Sequence, residues 1–324
     1  MKCTSRRRLA MLLLMILTLL GCAKPSYSMP YVADGLATGF RVLQTTDTAM
    51  ASPFASSYCI VTGNLMRDTV DMYNASSALL CDLSDQEVLY AKDVYETLHP
   101  ASLTKIMTAL VALKYGDMSR TLIATSSVII TEPGAQLCGL KSGDTMTMDQ
   151  ALRVLLLYSA NDVAMMIAEN VGQTVEHFVE MMNEEAIRIG ATNTHFANPH
   201  GLTQEEHYTT AYDQYLIFNA AIANETFKEI IHMTEYQTVY YDLEGDAKEL
   251  SLRNTNQYLN GNRETPQSIS VIGGKTGTTN AAGHCLILLA KDTAGNPYIS
   301  VILNATTRDD LYAQMSDLLE VIKE

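Results

Sequence analysis

The chain has 324 residues, 47% of them hydrophobic and 18% charged, too apolar for a disordered protein and without the bias of a collagen or coiled coil. Its 22 Lys and Arg stand against 36 Asp and Glu, and the net charge of −14 excludes a nucleic-acid partner, which needs a basic footprint. At roughly 100–200 residues per domain, the length suits one large or two modest domains.

Lys2, Arg6, Arg7 and Arg8 precede a stretch from Leu9 to Leu20 that is apolar apart from Thr18. Such a stretch is too short to cross a bilayer and has the form of a signal-peptide core, so residues 1–21 are expected to be removed on export. Leu19-Leu20-Gly21-Cys22 follows at once and resembles a bacterial lipobox, in which Cys22 carries the lipid. Ordinary cleavage near Ala23 is the alternative. On either reading the chain leaves the cytoplasm for the outer face of the membrane or the cell wall, and any membrane attachment runs through Cys22. Cys59, Cys81, Cys138 and Cys285 are too scattered for a disulfide framework, and no Cys-x-x-Cys pair suggests zinc. A Cys59–Cys81 bridge suits an oxidising compartment.

Residues 22–70, rich in Ser, Thr, Ala, Met and Pro, read as a tether and irregular lead-in to a domain over 71–324. Ser77–Asp82 and Glu87–Ala91 then form a predicted hairpin. After Pro100 the period changes: Leu103, Ile106, Met107, Leu110 and Val111 predict a buried helix with Ser102 in its opening turn. Thr147-Met148-Asp149-Gln150 is a capping-box pattern for a second helix through Leu157. Helices are also predicted over Asp162–Asn170, over Thr174–Ile189 with Gly190 closing it, and over Thr210–Ala223. Asn198-Pro199-His200-Gly201 is turn chemistry. Strand-like segments follow at Tyr236–Leu243, Ile269–Gly274, His284–Ala290 and Tyr298–Asn304, and Asp309–Lys323 closes the chain as an amphipathic helix. Terminal strands meeting in one sheet around a helical insertion predict an α/β (α+β) fold. The sheet is antiparallel and flanked by helices, with an inserted all-helical subdomain.

Three short patterns carry chemistry. In Ser102-Leu103-Thr104-Lys105, residues one helical turn apart let the Lys105 amine reach the Ser102 hydroxyl. A lysine acts as the base for a serine only when burial or another cation depresses its pKa. Alone the pattern also fits an exposed serine beside a surface lysine. Ser159-Ala160-Asn161 places a hydroxyl and an amide on a turn, where either could face a cleft or simply cap the next helix. Lys275-Thr276-Gly277-Thr278 sits on or just after a strand, with Gly273 and Gly274 leaving room for close backbone approach. A second lysine there lowers the pKa of Lys105 and attracts a carboxylate, while an edge strand can hydrogen-bond an extended peptide.

In this order, Ser-x-x-Lys, Ser-x-Asn and Lys-Thr-Gly resemble the penicillin-recognising serine enzymes, whose motif set they are. The flanks narrow the resemblance. His99-Pro100-Ala101-Ser102-Leu103-Thr104-Lys105-Ile106-Met107-Thr108, Asn198 to Leu202, His207 to Asp213, Asn254-Thr255-Asn256 and Gly274 to Gly277 look like the low-molecular-mass D-alanyl-D-alanine carboxypeptidases, over about Ser77 to Glu324. The resemblance implies a β-lactamase/DD-peptidase-like fold and hydrolysis of peptidoglycan stem peptides ending in D-Ala-D-Ala, with β-lactams as covalent inhibitors. It implies Ser102 as nucleophile, Lys105 as base and Ser159 as proton relay. Asn161 would hold the substrate backbone, and Lys275, Thr276 and Thr278 would face the terminal carboxylate. Ser102 and Thr278 would give oxyanion-hole N–H groups beside Gly277. Arg308 is a further carboxylate candidate or a surface arginine before the last helix.

A serine β-lactamase of class A shares the boxes, but its deacylating Glu-x-x-x-Asn pentapeptide is absent from the sequence, so slow release of β-lactams is expected. A non-catalytic wall-binding lipoprotein is the other alternative. His195, His200 and His207 with Glu205 and Glu206 match no common zinc spacing and read as structural; no metal and no cofactor are expected.

Overall fold

Among the described residues, the first and last strands lie side by side, and every helix but the closing one is threaded between them. The computed structural model describes residues 58–323; the signal-peptide and Cys22 readings lie outside them. Strands β1 (Ala75–Asp82) and β2 (Glu87–Lys92) form the expected hairpin, and β7 (Ser270–Thr279), β8 (Gly283–Lys291) and β9 (Pro297–Ala305) complete a five-stranded sheet in the order β2-β1-β9-β8-β7. All pairings are antiparallel, with Leu79 opposite Val301 and Lys275 opposite Ile287.

Both faces of this sheet are covered, so the run Ala78-Leu79-Leu80-Cys81 is buried without a gap. The strand period of two sends Leu79 and Cys81 into the core shared with the helical region. Ala78 and Leu80 face a second core built with Leu311, Met315 and Leu318 of the closing helix. Before β1, residues 58–74 have no strand of their own, yet Cys59 and Val61 are buried and Leu65 bridges Ala91. Cys59 and Cys81 are adjacent, unbridged buried thiols.

The helical region comprises α1 (Thr104–Tyr115), α2 (Met148–Leu157), α3 (Asn161–Gly172), α4 (Val175–Ile189), α5 (Ala211–Ile222) and α6 (Glu225–His232). The final helix, α7 (Arg308–Glu320), packs on the sheet. Caps fix most starts. Thr147 and Gln150 form the full capping box of α2, and Thr174, Thr210, Asn224 and Thr307 each accept an N–H of their own first turn. Gly190, with φ +89°, ends α4 in the left-handed conformation a β-carbon disfavours. α1 is buried from Thr104 to Ala112, so it is the central helix and not an amphipathic surface one.

The structure departs from the sequence reading at several points, and α6 (Glu225–His232) was not expected from it. Ser102 does not lie in the first turn of the α-helix but on a separate 3₁₀ turn, Ala101–Leu103, because Ala101 takes a left-handed φ of +48°. β7 runs on through Thr279, since pairing with β8 continues to Thr279–Gly283 and keeps Lys275 to Thr278 inside the strand. A second, four-stranded sheet in the order β3 (Thr121–Ile123), β4 (Thr145–Thr147), β5 (Glu235–Tyr241) and β6 (Ala247–Arg253) joins the helical region, which is therefore not all-helical. β3 and β4 are too short for a periodic signal, and β6 is mostly polar, with only Leu252 buried. β5 stops at Tyr241 and not at Leu243, because the Asp242 carboxylate accepts the N–H groups of Glu244 and Asp246 and turns the chain.

Candidate active site

Three elements from distant parts of the chain converge on one cleft of about 490 Å³. The 3₁₀ turn before α1 brings Ser102, the α2–α3 turn brings Ser159 and Asn161, and β7 brings Thr276, Gly277 and Thr278. The cleft also takes in Arg308 at the first turn of α7. Lys105 and Lys275 are buried beneath its floor. All nine candidate residues in the described part of the chain are thus brought together, Arg308 included.

The close approach depends on glycine at Gly277. A β-carbon there would stand 3.0 Å from Ser102 N and 3.1 Å from Pro100 O, so a larger residue would push the strand and the serine turn apart by a few tenths of an ångström. Ser159, with φ +69°, occupies a left-handed position that a non-glycine residue adopts at a cost, on the turn that aims its hydroxyl inward.

The Lys105 amine has three partners: Ser102 Oγ at 2.9 Å, Asn161 Oδ1 at 2.6 Å and the His200 carbonyl at 2.6 Å. Burial above all, and then the nearby Lys275 ammonium, hold its pKa well below the ordinary lysine value. The partner set then decides where the lone pair goes. Asn161 Oδ1 and His200 O can only accept, so a neutral amine spends its two protons on them and turns its lone pair to the Ser102 hydroxyl. Lys275 donates to Ser159 Oγ at 2.8 Å and to Thr276 O at 2.9 Å, and burial lowers its pKa to about 7. Thr276 Oγ1 lies 2.6 Å from Thr255 Oγ1, and Thr278 Oγ1 lies 3.2 Å from His284 Nδ1. No carboxylate lines the cleft among the described residues, while Arg308 does, with Lys275 beneath it. It is an anion-attracting site in an acidic protein.

Several contributors were not singled out in the sequence. His200 acts through its backbone carbonyl, which no side-chain pattern announces. The Asp162 carboxylate accepts the N–H groups of Cys138, Gly139 and Leu140 at 2.8–3.2 Å, and Asn161 N–H bonds Gln136 O. Together they pin the loop carrying Gly134, Ala135 and Gln136, one wall of the cleft. An acidic residue in the first turn of a predicted helix was visible, but its loop partner lies more than twenty positions earlier.

The family model described as D-alanyl-D-alanine carboxypeptidase, peptidase S11, matches residues 64–307. A D-alanyl-D-alanine carboxypeptidase of Bacillus subtilis, DacF, is 34% identical over 255 residues, 76% of this chain and 62% of the relative. A second, DacB2 of Mycobacterium tuberculosis, is 36% identical over 211 residues, 64% of this chain and 67% of its own length. The chain thus spans about three fifths to two thirds of the length of these relatives. Among solved structures, the DD-transpeptidase of Streptomyces K15 superposes with a TM-score of 0.70 at 25% identity, covering 76% of this chain and 96% of that one. A D-alanyl-D-alanine carboxypeptidase of M. tuberculosis gives 0.69 at 29% identity, covering 81% and 94%. With the serine–lysine pair, the serine–asparagine turn and the lysine-bearing strand in one cleft, the chain belongs to the S11 family of serine-type D-alanyl-D-alanine carboxypeptidases.

Proposed function

We propose that the protein is an exported serine carboxypeptidase that removes the terminal D-alanine from peptidoglycan stem peptides through an acyl-enzyme on Ser102. The observation that carries this reading is the buried Lys105 amine, 2.9 Å from Ser102 Oγ and held by two obligate acceptors, with its pKa lowered above all by burial. Lys105 takes the hydroxyl proton as Ser102 Oγ attacks the carbonyl carbon of the penultimate D-Ala. The oxyanion is met by the backbone N–H groups of Ser102 and Thr278. As the C–N bond breaks, the proton passes through Ser159 Oγ, which Lys275 holds, to the departing amine. Water then gives a proton to Lys105 and its oxygen attacks the ester, and Ser102 regains its proton from Lys105.

The terminal carboxylate is held by the Lys275 charge, the Thr276 and Thr278 hydroxyls and Arg308. Asn161, whose Oδ1 is taken by Lys105, turns its amide N–H groups to the substrate backbone. β-Lactams acylate the same serine and leave slowly. Release of D-alanine from a short peptide ending in D-Ala-D-Ala, by residues 23–324 and by their Ser102→Ala variant, tests the assignment. Release by the former alone is expected. Release by neither would favour a wall-binding role, and fast multiple-turnover nitrocefin hydrolysis would favour a β-lactamase.

The lipobox-like Leu19-Leu20-Gly21-Cys22 supports attachment through a lipid on Cys22. Metabolic labelling with a fatty-acid analogue should mark the full chain and not its Cys22→Ser variant; an unlabelled chain would leave simple secretion.

A further inference from the structure

We propose that His207 is a positioning residue for the nucleophile: its side chain, acting through the Thr104 hydroxyl, locks the carbonyl of Ala101 and so the turn that aims Ser102. The proposal deepens the reading above and rests on Ser102 being the nucleophile.

The turn needs such a lock. Ala101 holds φ at +48°, a left-handed conformation that its β-carbon disfavours, immediately before Ser102. Its carbonyl is gripped by Thr104, whose backbone N–H and whose hydroxyl, at 2.8 Å, both donate to it. His207 Nε2 lies 2.7 Å from the same hydroxyl oxygen, and the Ala197 N–H donates to His207 Nδ1 at 2.9 Å.

The directions are forced at both ends. A backbone N–H can only donate, so Nδ1 carries no proton; a backbone carbonyl can only accept, so the Thr104 proton points to Ala101 O. The remaining link must run from Nε2–H to Thr104 Oγ1. One neutral tautomer of His207 therefore completes a one-way chain from Ala197 N–H to Ala101 O. His207 is 1% exposed, packs edge-on against Phe196, and does not line the cleft, so it acts on Ser102 through its neighbours. His99, His195 and Lys105 bear on it and all disfavour its charged form, and it disfavours that of His200 in turn. His99 Nδ1 also holds the His207 carbonyl at 2.8 Å.

The same loop is tied to α1 at two further points, Thr108 to Pro199 O at 2.6 Å and Lys105 to His200 O at 2.6 Å. A β-carbon on Gly201 would stand 1.9 Å from Ala101 O, so the loop presses on the very carbonyl that the chain of hydrogen bonds holds.

The test uses D-alanine release with kcat and KM determined separately, and the thermal midpoint of every variant. Thr104→Val, which keeps the shape and removes the hydroxyl, and His207→Ala should each lower kcat about 10- to 100-fold with KM within about twofold, as misplacement of a reacting group does. Thr104→Ser should restore kcat to within about threefold of the parent. The double variant should lose no more than the worse single one, because both act on one link. Parent-like kcat in folded Thr104→Val, a rise in KM in place of the fall in kcat, or additive losses in the double variant would overturn the proposal. Release by Ser102→Ala would instead overturn the nucleophile assignment on which it rests.

Discussion

Lys105 and Lys275 are the same residue type in the same floor, and their partners divide the work. Lys105 faces acceptors that suit a neutral amine with one lone pair to offer, whereas Lys275 donates to Ser159 and to a carbonyl and is the cation in the proposed mechanism. With its pKa lowered to about 7, Lys275 loses charge as pH rises through that value. The kcat/KM for a carboxylate-ended peptide should therefore fall above about pH 7, approaching tenfold per pH unit, since that ratio reports groups of the free enzyme. Lys275→Arg keeps a permanent cation and should move this alkaline limb up by about two pH units or more, at lower overall activity. A limb at the same pH in the arginine variant would show that another group controls it. Most of the site was legible at this scale because a serine, a lysine and an asparagine declare their chemistry by type and spacing. His200 and the link through His207 were not, because one works through a backbone carbonyl and the other through a residue it only supports.

The element that delivers Ser159 is α2, and its start shows how a local signal becomes a tertiary contact. The Thr147–Gln150 capping box was readable from four residues, and the structure contains both of its bonds, at 3.2 and 2.8 Å. Gln150 also donates to Thr238 Oγ1 and to Val239 O on β5, so the same side chain fastens the helix to the second sheet. Thr147→Ala should cost about 1 kcal/mol, the ordinary value of an N-cap, and leave kcat unchanged. Gln150→Ala, which also strands β5, should cost more; equal losses in urea unfolding would show that the sheet contact adds nothing. Capped helices such as α2, α4 and α5 and the apolar strands β1, β8 and β9 could be read because their signals lie within a turn or two of chain. β6 could not, since a mostly polar strand is made by its pairing with β5, in a register from Glu235–Arg253 to Tyr241–Ala247.

For the whole molecule, burial of His200 and His207 sets a limit on acid tolerance. Both are held neutral with pKa lowered to about 3, His200 by burial and then by Lys105, His207 by burial and then by His99. In the unfolded chain they titrate near 6.5, so between these values the unfolded state binds more protons and stability falls as pH drops below about 6.5. Each histidine should withdraw about 2 kcal/mol between pH 7 and pH 5. Urea midpoints at the two pH values should show the loss, and His207→Gln should show roughly half of it; an unchanged pH dependence in that variant would contradict the assignment. The hairpin, the capped helices α2, α4 and α5 and the motifs that carry Ser102, Lys105, Ser159, Asn161 and Lys275 were legible without coordinates, because helix caps, periodicity and motif spacing are local. The folded chain was needed to show that β1 pairs with β9, that Arg308 reaches the cleft, that the helical region carries a sheet of its own, and which proton donor meets which acceptor around Lys105 and His207. Those outcomes depend on groups scores of residues apart meeting in a packed interior, where removal from water makes each buried polar atom require one particular partner.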